Sequence, residues 1–97
     1  GKLNGAGILT GNDEIALGIL QAAQDASIKV PEQLKIVGFD DTRLASLVRP
    51  ALSTVRVPLA EVGAAAINAL ASRVADPGRA GKAVHLPTHL VVRQSSV

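Results

Sequence analysis

Apolar and polar positions follow two different periods along this chain of 97 residues, and the switches between them mark its elements. The run GAGILT, residues 5–10, is short and apolar, as a buried strand is. GNDEIALGILQAAQDASI then changes to a helical period. Asn12 stands where an N-cap is needed, its side-chain oxygen free to accept an orphan backbone N–H, and Asp13 and Glu14 put negative charge into the first turn. On a wheel of 3.6 residues per turn Ile15, Ile19, Ala22, Ala23 and Ala26 share one face, with Ala16 and Leu20 beside it. Leu17 is expected to point the other way, among Gln21 and Gln24.

Pro31 blocks continuation of that helix. LKIVGF, residues 34–39, is apolar on both faces apart from Lys35, the pattern of a central parallel strand covered by helices. DTRLASLVRP predicts a short helix capped by Asp41 or Thr42 and ended before Pro50. LSTVRV, residues 52–57, alternates and is rich in β-branched side chains, so it predicts an extended segment ending at Pro58. The next helix has the clearest pattern. In PLAEVGAAAINALASRVADPG, Leu59, Val62, Gly63, Ala66, Ile67, Leu70 and Val74 form one stripe, with Glu61, Asn68 and Ser72 opposite. Pro58 suits the first turn and ADPG breaks the pattern. VHLPTHLVVRQSSV predicts one or two terminal strands interrupted by Pro87.

Strands alternating with helices predict an α/β fold, a mainly parallel sheet flanked by helices. In such sheets ligands gather at the carboxyl ends of the strands. Asn12 follows the first strand, Asp40 the second and Val57–Leu59 the third. Composition narrows the chemistry. Phe39 is the only aromatic residue and there is no cysteine, hence no disulfide and no thiolate metal site. The net charge is +2 and the arginines are scattered, so this chain is not expected to bind DNA by itself. No apolar stretch approaches the roughly 20 residues that cross a bilayer. No signal peptide opens the chain, and GKLNG reads as a cloning remnant or as the point where a longer protein is cut.

Asp40 and Asp41 close the apolar strand IVGF. Adjacent residues leaving a strand point to opposite sides, which suits neither an acid–base dyad nor a shared metal site. Asp41 is expected to cap TRLASL. His85 and His89 have the spacing of a helical metal pair, but Pro87 between them argues against a helix, and neither sits in a nucleophilic triad pattern. No catalytic residue, metal ligand or cofactor is assigned.

GNDEIALGIL, VPEQLKIVGFDDTRLASLVRPALSTVRVPLAEVG and HLPTHLVVRQSS together resemble the carboxyl-terminal part of the LacI/GalR family of bacterial transcriptional regulators. The family pattern runs from an ND…ALG helix start through G-[FY]-D-[DN] and P-x-L-[ST]-T-V to a closing L-x-x-R-x-S. The match extends from Gly11 to Ser96 with the motifs in order. It implies part of a periplasmic-binding-protein-like effector domain, in which two α/β subdomains close on a small molecule. Residues 11–57 are expected mostly in one subdomain, the helix and strand of 58–88 in the other, and 89–97 as a terminal strand. The resemblance puts Asn12 and Asp40 against the effector, with Val57 and Leu59 on the wall where relatives often carry a polar or aromatic residue.

It also implies a homodimer, with Leu17 as the interface residue, and operator DNA bound only through an amino-terminal helix-turn-helix absent from this sequence. The expected location is cytoplasmic, with no membrane partner. Taken alone, the chain is expected either to dimerise, with exchange of the 59–75 helix as one route, or to pack differently from its parent. A sugar-binding protein of a periplasmic-type transporter is the alternative. An enzyme or phosphoryl-accepting domain with Asp40–Asp41 on Mg²⁺ is a third reading.

Overall fold

The structure, a computed structural model, describes residues 4–97; the first three residues of GKLNG lie outside them. The chain forms two compact units, one of residues up to 57 together with 89–97, the other of residues 58–88.

The first unit is a four-stranded sheet with two helices. Its strands are β1 (Ala6–Leu9), β2 (Leu34–Asp40), β3 (Ser53–Arg56) and β4 (His89–Val91), and its helices are α1 (Asp13–Asp25) and α2 (Arg43–Leu47). The sheet order is β1-β2-β3-β4. The first three strands are parallel, as expected, and β4 runs antiparallel to β3. A single 3-10 turn, Gln94–Ser96, closes the chain. The register aligns Leu9 with Val37 and Asp40 with Arg56, so the carboxyl ends of the three parallel strands lie side by side. β2 is central, but only one of its faces is covered. Leu34, Ile36 and Gly38 are buried, Val37 is half-buried, and Lys35 and Phe39 are exposed. The expected cover on both faces is not found among the described residues.

The core consists of Ala16, Leu20, Ala23, Leu34, Ile36, Ala45 and Leu52. The buried face of α1 is therefore Asp13, Ala16, Leu20 and Ala23, which corrects the expected one. Ile15 is 51% exposed and Ala22 and Ala26 are exposed. Leu17, expected to face outward, is partly buried against the core. The helix is rotated because Asp13 points inward and is hydrogen-bonded there. Positions 13, 16, 20 and 23 follow it onto the sheet at helical spacing.

Gly38 makes room for this arrangement. A Cβ at Gly38 would collide with Asp13 Oδ1 and stand 3.1 Å from Leu52 Cδ2 and 3.3 Å from Asp13 Cα. A side chain there would push the start of α1 off the sheet.

The second unit contains α3, Leu59–Ala75, with the bounds its pattern predicts. No residue of α3 is buried. Leu59 (60%), Ile67 (65%), Leu70 (60%) and Val74 (73%) stand exposed along its apolar stripe. The strand expected before Pro87 does not form; residues 76–88 are turn and irregular chain.

Candidate functional site

The carboxyl edge of the parallel sheet collects the polar side chains, and most of them are already committed to one another. Asn12 has extended backbone (φ −160°, ψ 172°) and caps α1, its Oδ1 accepting from Ile15 N at 2.8 Å. The Asn12 side-chain amide N–H groups, the other end of the same group, make no hydrogen bond among the described residues. Thr10 supports this corner, its hydroxyl lying 2.9 Å from Asn12 O and 3.1 Å from Val37 O.

Asp13 is fully buried and ties three elements together. Its Oδ2 accepts from Thr42 N at 2.6 Å and from the Thr42 hydroxyl at 3.1 Å, and its Oδ1 accepts from the Thr54 hydroxyl at 2.6 Å. Thr54 in turn accepts from Asp41 N at 3.2 Å. Asp13 is thus a structural anchor, beyond the first-turn charge that its position suggests. A carboxyl group with no water to turn to needs such donors, because an unmatched buried polar group costs about 1–3 kcal/mol.

Asp41 does not cap α2. The N-cap position is Thr42, with no capping bond from its side chain, and its backbone N–H is taken by Asp13. The Asp41 side chain, 8% exposed, is held instead by two guanidinium groups: Arg56 Nε at 2.7 Å from Oδ2 and Arg93 Nη1 at 2.9 Å from Oδ1. Burial pushes the carboxyl up, but the hydrogen bonds from Arg56 and Arg93, reinforced by their charge, outweigh it and hold Asp41 below the ordinary carboxylate range. Arg56 and Arg93, brought from 15 and 52 residues away, hold the carboxylate in place of the local helix.

Asp40 is the exception at this edge. It is half-buried, and its carboxyl group accepts no hydrogen bond and joins no ion pair among the described residues. Its backbone φ is 115° and that of Asp41 is 59°, both in the left-handed region. Non-glycine residues there are strained by about 1–3 kcal/mol each and persist where the surroundings impose them. The extended geometry that separates neighbouring side chains ends at this point, and the two carboxyls are divided by their partners instead.

The closing motif R-Q-S-S is a clasp on β3. Arg93 N donates to Ser53 Oγ at 2.7 Å, Ala51 N to Gln94 Oε1 at 3.0 Å and Ser53 N to Ser95 Oγ at 2.8 Å. The buried Ser95 hydroxyl donates a hydrogen bond to Ile36 O at 2.6 Å, which ties the tail to β2. Sequence reasoning missed Asp13, Thr54, Arg56, Arg93 and Ser95. The polar residues set among apolar ones in LSTVRV hinted at Thr54 and Arg56, the closing L-x-x-R-x-S pattern at Arg93 and Ser95, and nothing but its first-turn position at Asp13.

Of the remaining expected site residues, Val57 is half-buried just past β3, and Leu59 is the exposed first residue of α3 in the second unit. In that unit a cleft of about 580 Å³ lies between α3 and residues 79–84, and none of the expected site residues lines it. Its arginines are engaged: Arg73 Nη1 donates to Arg79 O at 2.8 Å and Arg79 Nη1 to Ser72 Oγ at 2.7 Å. Among the described residues no group of three His, Cys, Asp or Glu is placed to hold a metal, and no helix is long and apolar enough to cross a membrane.

A parallel α/β sheet with uncommitted polar groups at its carboxyl edge is the form of a small-molecule-binding lobe. The model of the periplasmic binding protein-like domain family matches residues 2–96. Catabolite control protein A of Priestia megaterium is 40% identical over 89 residues, which are 92% of this chain and 27% of that protein. A LacI transcriptional regulator from Bacillus cereus subsp. cytotoxis superposes with a TM-score of 0.90 at 32% identity, over 94% of this chain and 32% of that one. A LacI family regulator from Enterococcus faecalis V583, with bound ribose, does so with a TM-score of 0.86 at 32% identity, over 94% of this chain and 34% of that one. The chain belongs to the periplasmic binding protein-like domain family, and the relatives it is similar to are LacI/GalR-type transcriptional regulators. It spans about a quarter of the length of the curated relatives it matches.

Proposed function

We propose that this chain supplies one wall of a sugar-binding effector site, through which a transcriptional regulator carrying it controls operator binding by a separate DNA-reading domain. Asp40 accepts hydrogen bonds from sugar hydroxyls and the free amide of Asn12 donates to a sugar oxygen. Val57, just past β3 in the same unit, contributes an apolar contact. The observation that carries this reading is the contrast at the sheet edge, where Asp13 and Asp41 are held by several donors while Asp40, the same side chain, is left open among the described residues. A carboxylate left open at a strand terminus keeps its acceptor oxygens available to a ligand's donors. The ribose bound by the Enterococcus faecalis regulator supports a polyhydroxylated ligand, and the names of the relatives favour regulation over transport.

Effector binding then acts by biasing two lobe arrangements, with no bond made or broken. Titration of the chain with ribose, followed by NMR, tests the site: the Asn12 side-chain amide and the Asp40 resonances should shift, weakly because one wall alone is present. Asp40→Ala should remove the response. Saturating ribose, lactose and cellobiose with no movement at either residue would sink the reading. A homodimer in which Leu17 takes part belongs to the same proposal. Leu17→Lys should lower the sedimentation mass of a self-associated chain while the circular dichroism spectrum is retained; an unchanged dimer removes Leu17 from the interface.

A further inference from the structure

Asp40 is open, yet its backbone is in a conformation that an aspartate does not adopt unaided. The next two residues explain how it is kept there. Asp41 is fixed at its backbone N–H by Thr54 and at both carboxyl oxygens by Arg56 and Arg93, and Thr42 N is fixed by Asp13. The two arginines are unequal anchors. The Arg56 side chain is 58% exposed, whereas that of Arg93 is 18% exposed and is itself locked. Arg93 Nη1 also donates to Leu52 O at 2.9 Å, and its backbone N–H to Ser53 Oγ at 2.7 Å. A rigid donor loses less freedom on binding a carboxylate than a solvated one does.

We infer that Arg93, at the far end of the chain from Asp40 in sequence, is a positioning residue for the effector site: by gripping Asp41 it holds Asp40 in the left-handed conformation that leaves its carboxylate open. Arg93 touches no effector in this role. The inference rests on the reading of Asp40 as the effector contact, but its test needs no ligand. The closing tail then belongs to the binding site as well as to the sheet.

The three-bond coupling between the amide and α protons depends on φ, small at the φ of 115° that Asp40 has and large for an extended residue. In the 97-residue chain the Asp40 coupling should be small. Arg93→Met should raise it to the extended value, with the α1 amide shifts unchanged; Arg93→Lys, which keeps a cation beside Asp41, should restore most of the small value. Arg56→Met should leave it nearly unaltered. Asp41→Asn, nearly isosteric, provides the second measurement where Arg93→Met does not fold, and it too should raise the coupling. An Asp40 coupling that stays small in folded Arg93→Met or in Asp41→Asn overturns the inference. Absence of any ribose response with these couplings as expected removes the sugar reading and leaves Arg93 in its positioning role.

Discussion

The sheet unit and the helical unit use similar aliphatic material to opposite ends. In the sheet unit seven apolar residues are buried together, and among the described residues every buried polar side chain meets a partner. In the unit of residues 58–88 a regular helix of 17 residues forms, yet none of its side chains is buried. The lesson is that helix formation and helix burial are separate events. Propensity, Pro58 and a run of alanines suffice to shape α3, while stability comes from packing its stripe against something.

Matched core deletions sharpen this contrast most. Leu52→Ala should cost about 2–5 kcal/mol in urea unfolding, the usual range for a fully buried leucine. Ile67→Ala, at a site 65% exposed and with the better helix former introduced, should change stability by less than about 0.5 kcal/mol. Comparable losses at the two sites would show that α3 is buried in solution and would break the comparison.

Next in size is the polar anchor. Asp13→Ala strands Thr42 N and the Thr54 hydroxyl, at about 1–3 kcal/mol for each donor left unmatched. Asp13→Asn, which retains an acceptor, should cost less, and equal losses in the two variants would argue that packing and not hydrogen bonding is at stake. Gly38→Ala should follow at about 1–3 kcal/mol through overpacking against Asp13 and Leu52, read as a lowered urea midpoint with unchanged slope. A neutral substitution at Gly38 would mean that α1 stands farther from β2 than described.

The smallest effect is a pH dependence confined to the sheet unit. The Asp41 carboxyl is depressed in the folded state, so its contribution is complete above the ordinary aspartate value of about 3.9 and is lost as pH falls through the depressed value. Unfolding followed between pH 5 and 2 should lose part of this dependence in Asp41→Asn. Identical pH profiles for the two proteins would count against the ion pairs.

Elements were legible in the sequence to the extent that they are local. The strand from Leu34, the N-cap at Asn12 and the bounds of α3 follow from period, caps and prolines, which act over a few residues. The phase of α1 was not legible, because a wheel ranks faces by apolarity and here a buried aspartate sets the rotation. At the candidate site Asn12 and Asp40 were found as strand-end polar residues. Asp41 was misread because its partners, Arg56 and Arg93, lie 15 and 52 residues away.

What the sequence by itself determined is the alternation of strands and helices, and with it the edge of the sheet at which polar residues emerge. Only the tertiary structure decided which of those residues are spent on holding the fold and which stay open. The reason is electrostatic and geometric. Three aspartates of the same chemistry, Asp13, Asp40 and Asp41, differ in which donors the folded chain brings within hydrogen-bond reach, and among the described residues Asp40 has none.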